Sequence, residues 1–152
     1  MPFLVDSVSA EIHRRDRKIH LLMHPVIRAV REGHHFFNLP DMDFGARDAA
    51  LVPFFGVTAA TLLAPSRMAR ALNMVVQPVV TEVLPGGQGY RVRFLEPWRD
   101  FPTDDALADT ACMNRWIESE VRRMPAQYLW VHKRFKTRPP GEPSVYVDAA
   151  DR

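Results

Sequence analysis

Residues 74–95 read MVVQPVVTEVLPGGQGYRVRFL, a pattern that predicts two strands joined by a glycine-rich turn. The first part, Met74–Leu84, is rich in valine, which favours extended structure. In the second part Tyr90, Val92 and Phe94 alternate with two arginines, so apolar and charged side chains point to opposite faces. We therefore predict a β-hairpin here, the most distinct local element of the chain.

Helical patterns lie on both sides of this hairpin. Apolar residues from Pro25 to a stop at Gly33 predict a short helix, and Thr61–Leu72 predicts a second with Pro65 in its first turn. A third helix follows Thr103, which we expect to cap it. The pattern predicts an α/β fold with a small mixed sheet, the hairpin and flanking helices.

Two apolar runs between the first two helices have less regular patterns. His35–Leu39 is compact and apolar, so we expect a buried strand there. Leu51–Gly56 is interrupted by Pro53, which favours a buried loop or an edge segment over a central strand, because proline cannot donate a hydrogen bond to a neighbouring strand.

Asp41 and Asp43 follow the first apolar run, in an acidic loop that also contains Gly45. Two carboxylates at the end of a strand could serve general acid–base chemistry, or could orient hydroxyl or amine groups of a substrate. The alternative is turn chemistry, because aspartates after a proline commonly bend and cap the backbone. On the residues alone, turn chemistry is favoured.

The segment Gln127–Gly141 combines positive charge with aromatic side chains. Its basic or ionisable residues are His132, Lys133, Arg134, Lys136 and Arg138. Such side chains suit phosphate, so nucleic acid, a phosphorylated lipid and an anionic membrane surface all fit. The alternative is a solvated charged face. We favour a binding function, because a solvated face does not require Tyr128, Trp130 and Phe135 between the charges.

Composition and missing motifs argue against several other classes. One cysteine cannot form an internal disulfide. The sequence has no run of about 18 apolar residues, the length that a membrane-spanning helix needs, so we expect a cytoplasmic location. The six histidines show no metal-ligand spacing, and Gly86–Gly89 lacks the lysine of a phosphate loop, so we expect neither metal nor cofactor. The formal charge of +2 is small and no nucleic-acid reader motif is present, so we expect no nucleic-acid partner.

Four blocks of the chain, in their order and approximate spacing, resemble one known family. They are Leu39–Gly45, Val52–Gly56, Met113–Asn114 and Gln127–Pro139. The family is the lipid A biosynthesis acyltransferases, the late lauroyl and myristoyl transferases of Gram-negative bacteria. The resemblance covers about residues 25–146 and implies a partial acyltransferase-type α/β sandwich. Residues 25–138 would be the C-terminal half of the domain, after an N-terminal arm of residues 1–24 and before an extended tail of residues 139–152.

The resemblance implies an enzyme at the cytoplasmic face of the inner membrane. Its partners would be acyl carrier protein as the acyl donor, a phosphorylated lipid A precursor as the acceptor and the anionic membrane surface. In the family, a histidine followed five positions later by an acid takes the proton of the acceptor hydroxyl. The resemblance makes Asp41 and Asp43 candidate substrate-binding residues, against the turn interpretation. It makes Arg134, Lys136 and Arg138 candidates for lipid phosphate or membrane headgroups.

The chain departs from the family pattern at the catalytic pair. Five positions after its six histidines stand Lys18, Pro25, Ala29, Leu39, Pro40 and Thr137, none of which is an acid. No catalytic residue can therefore be named, and we expect no counterpart of the family's hydrophobic anchor in these 152 residues. We expect a truncated enzyme without acyl transfer activity of its own. The alternative is a non-catalytic module that binds anionic lipid or a membrane surface.

Overall fold

The computed structural model describes residues 20–146, with side chains from residue 26 onward. The chain divides into two compact units, Met1–Phe37 and Asn38–Arg152. Residues 1–19 of the predicted N-terminal arm and residues 147–152 of the predicted tail lie outside the described part. The division into arm, domain and tail therefore stays a prediction.

The first unit contains one described helix, α1 (His20–Arg31). It ends as predicted at Gly33, whose φ of +89° is a conformation that glycine adopts without strain and whose N–H donates to the Val30 carbonyl at 3.0 Å. The predicted buried strand at His35–Leu39 is wrong, because these residues are exposed and belong to no strand. No described strand pairs with them, so their apolar side chains have no sheet to be buried in.

The second unit begins with a tight hairpin of β1 (Ala49–Phe54) and β2 (Val57–Leu62), which pair antiparallel. Phe55 and Gly56 form its two-residue turn with φ values of +51° and +75°. Positive φ at both positions matches the right-handed twist of the two strands. The Phe55 N–H donates to the Glu118 carboxylate at 2.8 Å, a contact that helps to hold a non-glycine residue in this conformation.

Pro53 is accommodated in β1 because its nitrogen points away from β2. The Leu63 N–H donates to the Asp48 carbonyl at 3.2 Å, so even-numbered residues of β1 exchange hydrogen bonds with β2. A proline at an odd-numbered position costs no bond between the strands. The proline thus indicated an edge strand correctly, and the alternative of a buried loop is wrong.

Helix α2 (Ala64–Ala71) has Pro65 in its first turn, as predicted. It begins three residues later than the sequence pattern indicated, because Thr61 and the residue after it complete β2. The predicted hairpin then follows and is confirmed. Its strands, β3 (Val79–Val83) and β4 (Tyr90–Phe94), pair antiparallel.

Helix α3 (Ala106–Arg123) is capped by Asp105. The predicted cap at Thr103 is wrong. The Asp105 carboxylate accepts the Leu107 and Ala108 N–H groups at 2.9 and 3.0 Å. Thr103 instead donates its hydroxyl and its N–H to the buried carboxylate of Asp109. The start of α3 is therefore held by two carboxylates, that of its cap Asp105 and that of Asp109 in the first turn of the helix.

The β3–β4 hairpin turns its charged face, and not its apolar face, toward α3. On the charged face, Arg93 donates to Glu120 of α3 at 2.6 Å. On the other face Tyr90, Val92 and Phe94 are exposed. Alternation predicted two distinct faces correctly but did not predict which of them α3 would cover.

The α/β fold class is confirmed. Its described strands form two antiparallel pairs rather than one mixed sheet. The core lies where β1 packs on α3, and its buried apolar members include Val52, Phe54, Met113 and Val121. Within residues 20–146, no helix has the length and apolar character needed to cross a membrane.

Candidate functional site

The segment that follows α3 returns along the free edge of β2. Two short 3₁₀ turns, Pro125–Gln127 and Trp130–His132, redirect the chain, and Lys133 then adopts a φ of +48°. Residues 134–138 come next to the first hairpin. They contain three of the five predicted substrate-binding residues.

Arg134 is the centre of a buried polar cluster and is only 2% exposed. Its Nη1 donates to the Ala60 carbonyl at 2.6 Å, and its Nη2 donates to the Thr61 hydroxyl at 2.5 Å. The Asn114 carbonyl oxygen lies 3.5 Å from the same Nη2, and the guanidinium carbon lies 5.2 Å from the centre of the Phe54 ring. We call Arg134, Thr61 and Asn114 the arginine cluster.

Two arginine side chains cover the open edge of β2. The odd-numbered residues of β2 form the hydrogen bonds to β1. The even-numbered residues of β2 therefore direct their carbonyl groups away from β1. The Ala60 carbonyl accepts from Arg134, and the Thr58 carbonyl accepts from Arg138 at 2.6 Å. Satisfied edge carbonyls stabilise the strand and make it a poor template for pairing with another chain.

Asn114 joins both strands of the first hairpin to α3. Its amide nitrogen donates to the Pro53 carbonyl at 3.0 Å and to the Thr61 hydroxyl at 3.2 Å. The residue is completely buried on the core side of the helix. An asparagine on the core side of a helix needs such partners, and its position there was the signal available in the sequence.

Asp43 connects the acidic loop to the basic segment. Its carboxylate accepts the Thr137 N–H and the Thr137 hydroxyl, each at 2.8 Å, and the Gly45 N–H at 2.9 Å. Asp43 is 5% exposed. We call Asp43, Gly45 and Thr137 the aspartate bridge. The bond to Gly45 is the turn chemistry that the sequence allowed, and the bonds to Thr137 reach across 94 positions of the chain.

The structure brings all five predicted substrate-binding residues to one region but gives them different surroundings. Arg134 and Asp43 are buried and bonded within the chain. Arg138 bonds to the Thr58 carbonyl and to the Glu142 carboxylate. Asp41 is half-buried and Lys136 is exposed. Whether any of them binds a substrate stays a prediction.

Tyr128 lies at the same site and was not identified from the sequence as a site residue. Burial raises the pKa of its hydroxyl above the ordinary value, and the neighbouring Asp41 carboxylate raises it further. Burial lowers the pKa of Arg134, an effect that Tyr128 and the two aspartates oppose. The site thus combines buried positive charge with two carboxylates and a protonated phenol.

Tyr128 is expected to remain protonated at alkaline pH until the protein unfolds. Ordinary tyrosines ionise near pH 10. Because the pKa of Tyr128 is raised in the folded state, the unfolded state loses that proton first as pH increases. Stability therefore falls above about pH 10. An absorbance titration should show one of the three tyrosines ionising late.

The Tyr128→Phe variant should lose this late transition and should be less sensitive to alkaline unfolding. The exposed Tyr90 provides the matched control, since Tyr90→Phe should leave the late transition in place. A late transition that persists in Tyr128→Phe would contradict the assignment.

Among residues 26–146, no three histidine, cysteine or carboxylate side chains lie close enough together to hold a metal ion. The site is therefore a set of hydrogen-bonding and charged groups that could bind phosphate, hydroxyl or amide groups of a ligand.

Comparisons with known proteins identify the family of the chain. Residues 6–137 match the family model described as bacterial lipid A biosynthesis acyltransferase. The chain is 39% identical over 122 residues to a lipid A biosynthesis lauroyltransferase of Escherichia coli strain K12. Over 123 and 124 residues, it is 36% and 33% identical to a palmitoleoyltransferase and a myristoyltransferase of the same pathway and strain.

Each of these alignments covers 80% of the chain and 38–40% of the relative. The chain thus spans about 40% of the length of the curated relatives it matches.

Proposed function

This chain belongs to the bacterial lipid A biosynthesis acyltransferase family, and on that premise we propose that it takes part in fatty acyl transfer to a lipid A precursor. The donor is a thioester of acyl carrier protein, and the acceptor is a hydroxyl of a phosphorylated glucosamine disaccharide that already carries acyl chains. The reaction takes place at the cytoplasmic face of the inner membrane. Family membership supports all three statements.

In this reaction the acceptor hydroxyl oxygen forms an ester bond with the acyl carbon, and the bond from that carbon to the thioester sulfur breaks. The hydroxyl proton goes to a general base, and the thiol leaves after gaining a proton. None of the six histidines is followed five positions later by an acid, so we assign no base among these 152 residues. The role that we propose for these 152 residues is to bind and orient the acceptor.

One observation carries this assignment, the bonds of Asp43 to Thr137. They hold the acidic loop against the basic segment, next to Lys136. We propose that Lys136, which is exposed, binds a phosphate of the acceptor and that Asp41 binds a hydroxyl or amide group of the sugar. Three further charged residues keep the two segments in place through hydrogen bonds within the chain. They are Asp43, Arg134 and Arg138.

The proposal is tested by measuring how tightly the full 152-residue chain binds a phosphorylated lipid A precursor in detergent micelles. Lys136→Ala should weaken binding by roughly ten- to a hundredfold, because a hydrogen bond to an ionised phosphate contributes about 1.5–3 kcal/mol. The precursor lacking its phosphates should bind with the same affinity to wild type and to the variant. The chain alone should not transfer an acyl group from acyl carrier protein.

Arg115→Ala is the matched control, because Arg115 is also exposed but lies on α3 outside the site. Equal loss of affinity in both variants would indicate attraction by net charge alone and would contradict a phosphate site at Lys136. Acyl transfer by the chain alone would show that these 152 residues do supply a base, and would contradict a role limited to binding the acceptor.

A further inference from the structure

Three consecutive apolar residues form a surface that the proposed acceptor site does not use. Leu129, Trp130 and Val131 are 56%, 47% and 79% exposed. We call them the apolar turn. Exposed apolar side chains are common when single, but three in succession at a turn are a feature that needs a reason.

The apolar turn is held in place from beneath. The Trp130 indole N–H donates to the Pro125 carbonyl at 2.9 Å. Its ring lies 4.7 Å from the Tyr128 ring and 5.9 Å from the Phe55 ring. Phe55 is in turn covered by the guanidinium of Arg122 at 4.8 Å. Because these contacts already fix the turn, it would lose little conformational freedom on binding.

Positive charge surrounds the apolar turn. Residues 121–141 contain six lysines and arginines and no acidic residue. Of the cations near the turn, Arg122 and Arg123 face carboxylates of α3 at 4.0 and 3.0 Å, whereas Lys133 is exposed. No ion pair involves Lys133 among the side chains that the structure describes.

We propose that the apolar turn inserts into the interfacial region of an anionic lipid bilayer, with Lys133 at the level of the headgroups. A tryptophan beside aliphatic side chains suits the boundary between headgroups and acyl chains, because its ring is apolar and its N–H is polar. The cations add attraction to anionic lipid. The choice of a bilayer rests on the proposed function, whose acceptor is a membrane lipid.

The exposed face of β4 is another apolar surface of this unit, and it fits an anionic bilayer less well. Its neighbouring arginines point to the opposite side of the hairpin, where Arg93 is bonded to Glu120. Nothing in the structure shows what covers that face. It therefore serves as a control surface for the experiment.

The experiment measures the fluorescence of Trp130 as vesicles of phosphatidylcholine and the anionic lipid phosphatidylglycerol are added to the protein. The chain has three tryptophans, so Trp98→Phe with Trp116→Phe leaves Trp130 as the only probe. Its emission should shift to shorter wavelength with anionic vesicles and be quenched by bromine atoms on the acyl chains. Vesicles of phosphatidylcholine alone should bind much more weakly.

Co-sedimentation of the otherwise unchanged chain then tests the residues. Leu129→Ser with Val131→Ser should weaken binding to anionic vesicles roughly tenfold, because less apolar surface is buried. Lys133→Gln should weaken it about fivefold. The matched controls Val75→Ser with Val92→Ser, and Arg115→Gln, remove equally exposed groups elsewhere and should have little effect.

Unquenched Trp130 in bound protein, or equal losses in the control variants, would overturn the inference. A shift of Trp130 emission by acyl carrier protein but not by vesicles would also overturn it, in favour of an acidic protein partner at the apolar turn. These vesicles contain no lipid A precursor. Failure here therefore leaves the micelle experiment with Lys136→Ala unaffected, and the two proposals can fail separately.

Discussion

Replacing Arg134 with alanine is expected to lower the free energy of unfolding by about 3–5 kcal/mol. The guanidinium donates to the Ala60 carbonyl and the Thr61 hydroxyl, and it packs on the Phe54 ring. Without it, buried acceptors lose their donors and the nearby carboxylates of the acidic loop lose their closest buried cation.

Urea denaturation at low protein concentration, followed by tryptophan fluorescence, measures this loss. Lys136→Ala is the matched control, because it removes an exposed cation two positions away and should change stability by less than about 0.5 kcal/mol. Arg134→Lys should give an intermediate loss, since lysine keeps the charge but not the planar set of donors. Equal midpoints for Arg134→Ala and Lys136→Ala would contradict a central role for the arginine cluster.

A second consequence of Arg134→Ala concerns the edge of β2. The Ala60 carbonyl would become free to pair with another chain, because this edge is covered by side chains and not by a strand. We expect light scattering to increase with time in Arg134→Ala. In Lys136→Ala it should stay at the wild-type level.

Replacing Asp43 with asparagine is expected to cost about 2–4 kcal/mol and to release the basic segment locally. The carboxylate accepts three hydrogen bonds, from the Gly45 N–H and from the N–H and hydroxyl of Thr137. In asparagine an NH₂ group replaces one carboxylate oxygen, and this group cannot accept a hydrogen bond. The bond between Lys136 and Thr137 should therefore become accessible to trypsin. Mass spectrometry of a limited digest under native conditions measures the cleavage rate there.

Asp109 provides a matched control for global destabilisation. It is a second buried carboxylate with three donors, the Ser66 hydroxyl and the N–H and hydroxyl of Thr103. Asp109→Asn should cost a similar free energy without increasing cleavage after Lys136 under native conditions, because local opening and global unfolding are separate events. Equal cleavage in both variants would show that Asp43 stabilises the fold generally and does not hold this segment in particular.

The elements with the strongest local patterns were predictable from the sequence. The β3–β4 hairpin follows from alternation and a glycine-rich turn, and α1 ends at Gly33 as expected. Elements that depend on a distant partner were not predictable in the same way. His35–Leu39 has the composition of a strand but no described strand to pair with.

The candidate site was predictable as a set of residues but not as an arrangement. The sequence indicated Asp41, Asp43 and the basic segment. It did not indicate that Thr137 would bond to Asp43, or that Asn114 would join α3 to the first hairpin. Each of these contacts joins residues far apart in the chain, and spacing along a sequence carries no information about such distances.

The sequence by itself determined the family, the α/β class and a basic aromatic segment suited to an anionic partner. Only the tertiary structure decided which of its cations are free to meet that partner. Arg134 and Lys136 are equivalent as charges in a sequence, yet β2 and α3 bury the first, while the second is exposed to solvent. The physical reason is that a cation is buried where the fold supplies hydrogen-bond acceptors to compensate its lost hydration, and those acceptors come from other parts of the chain.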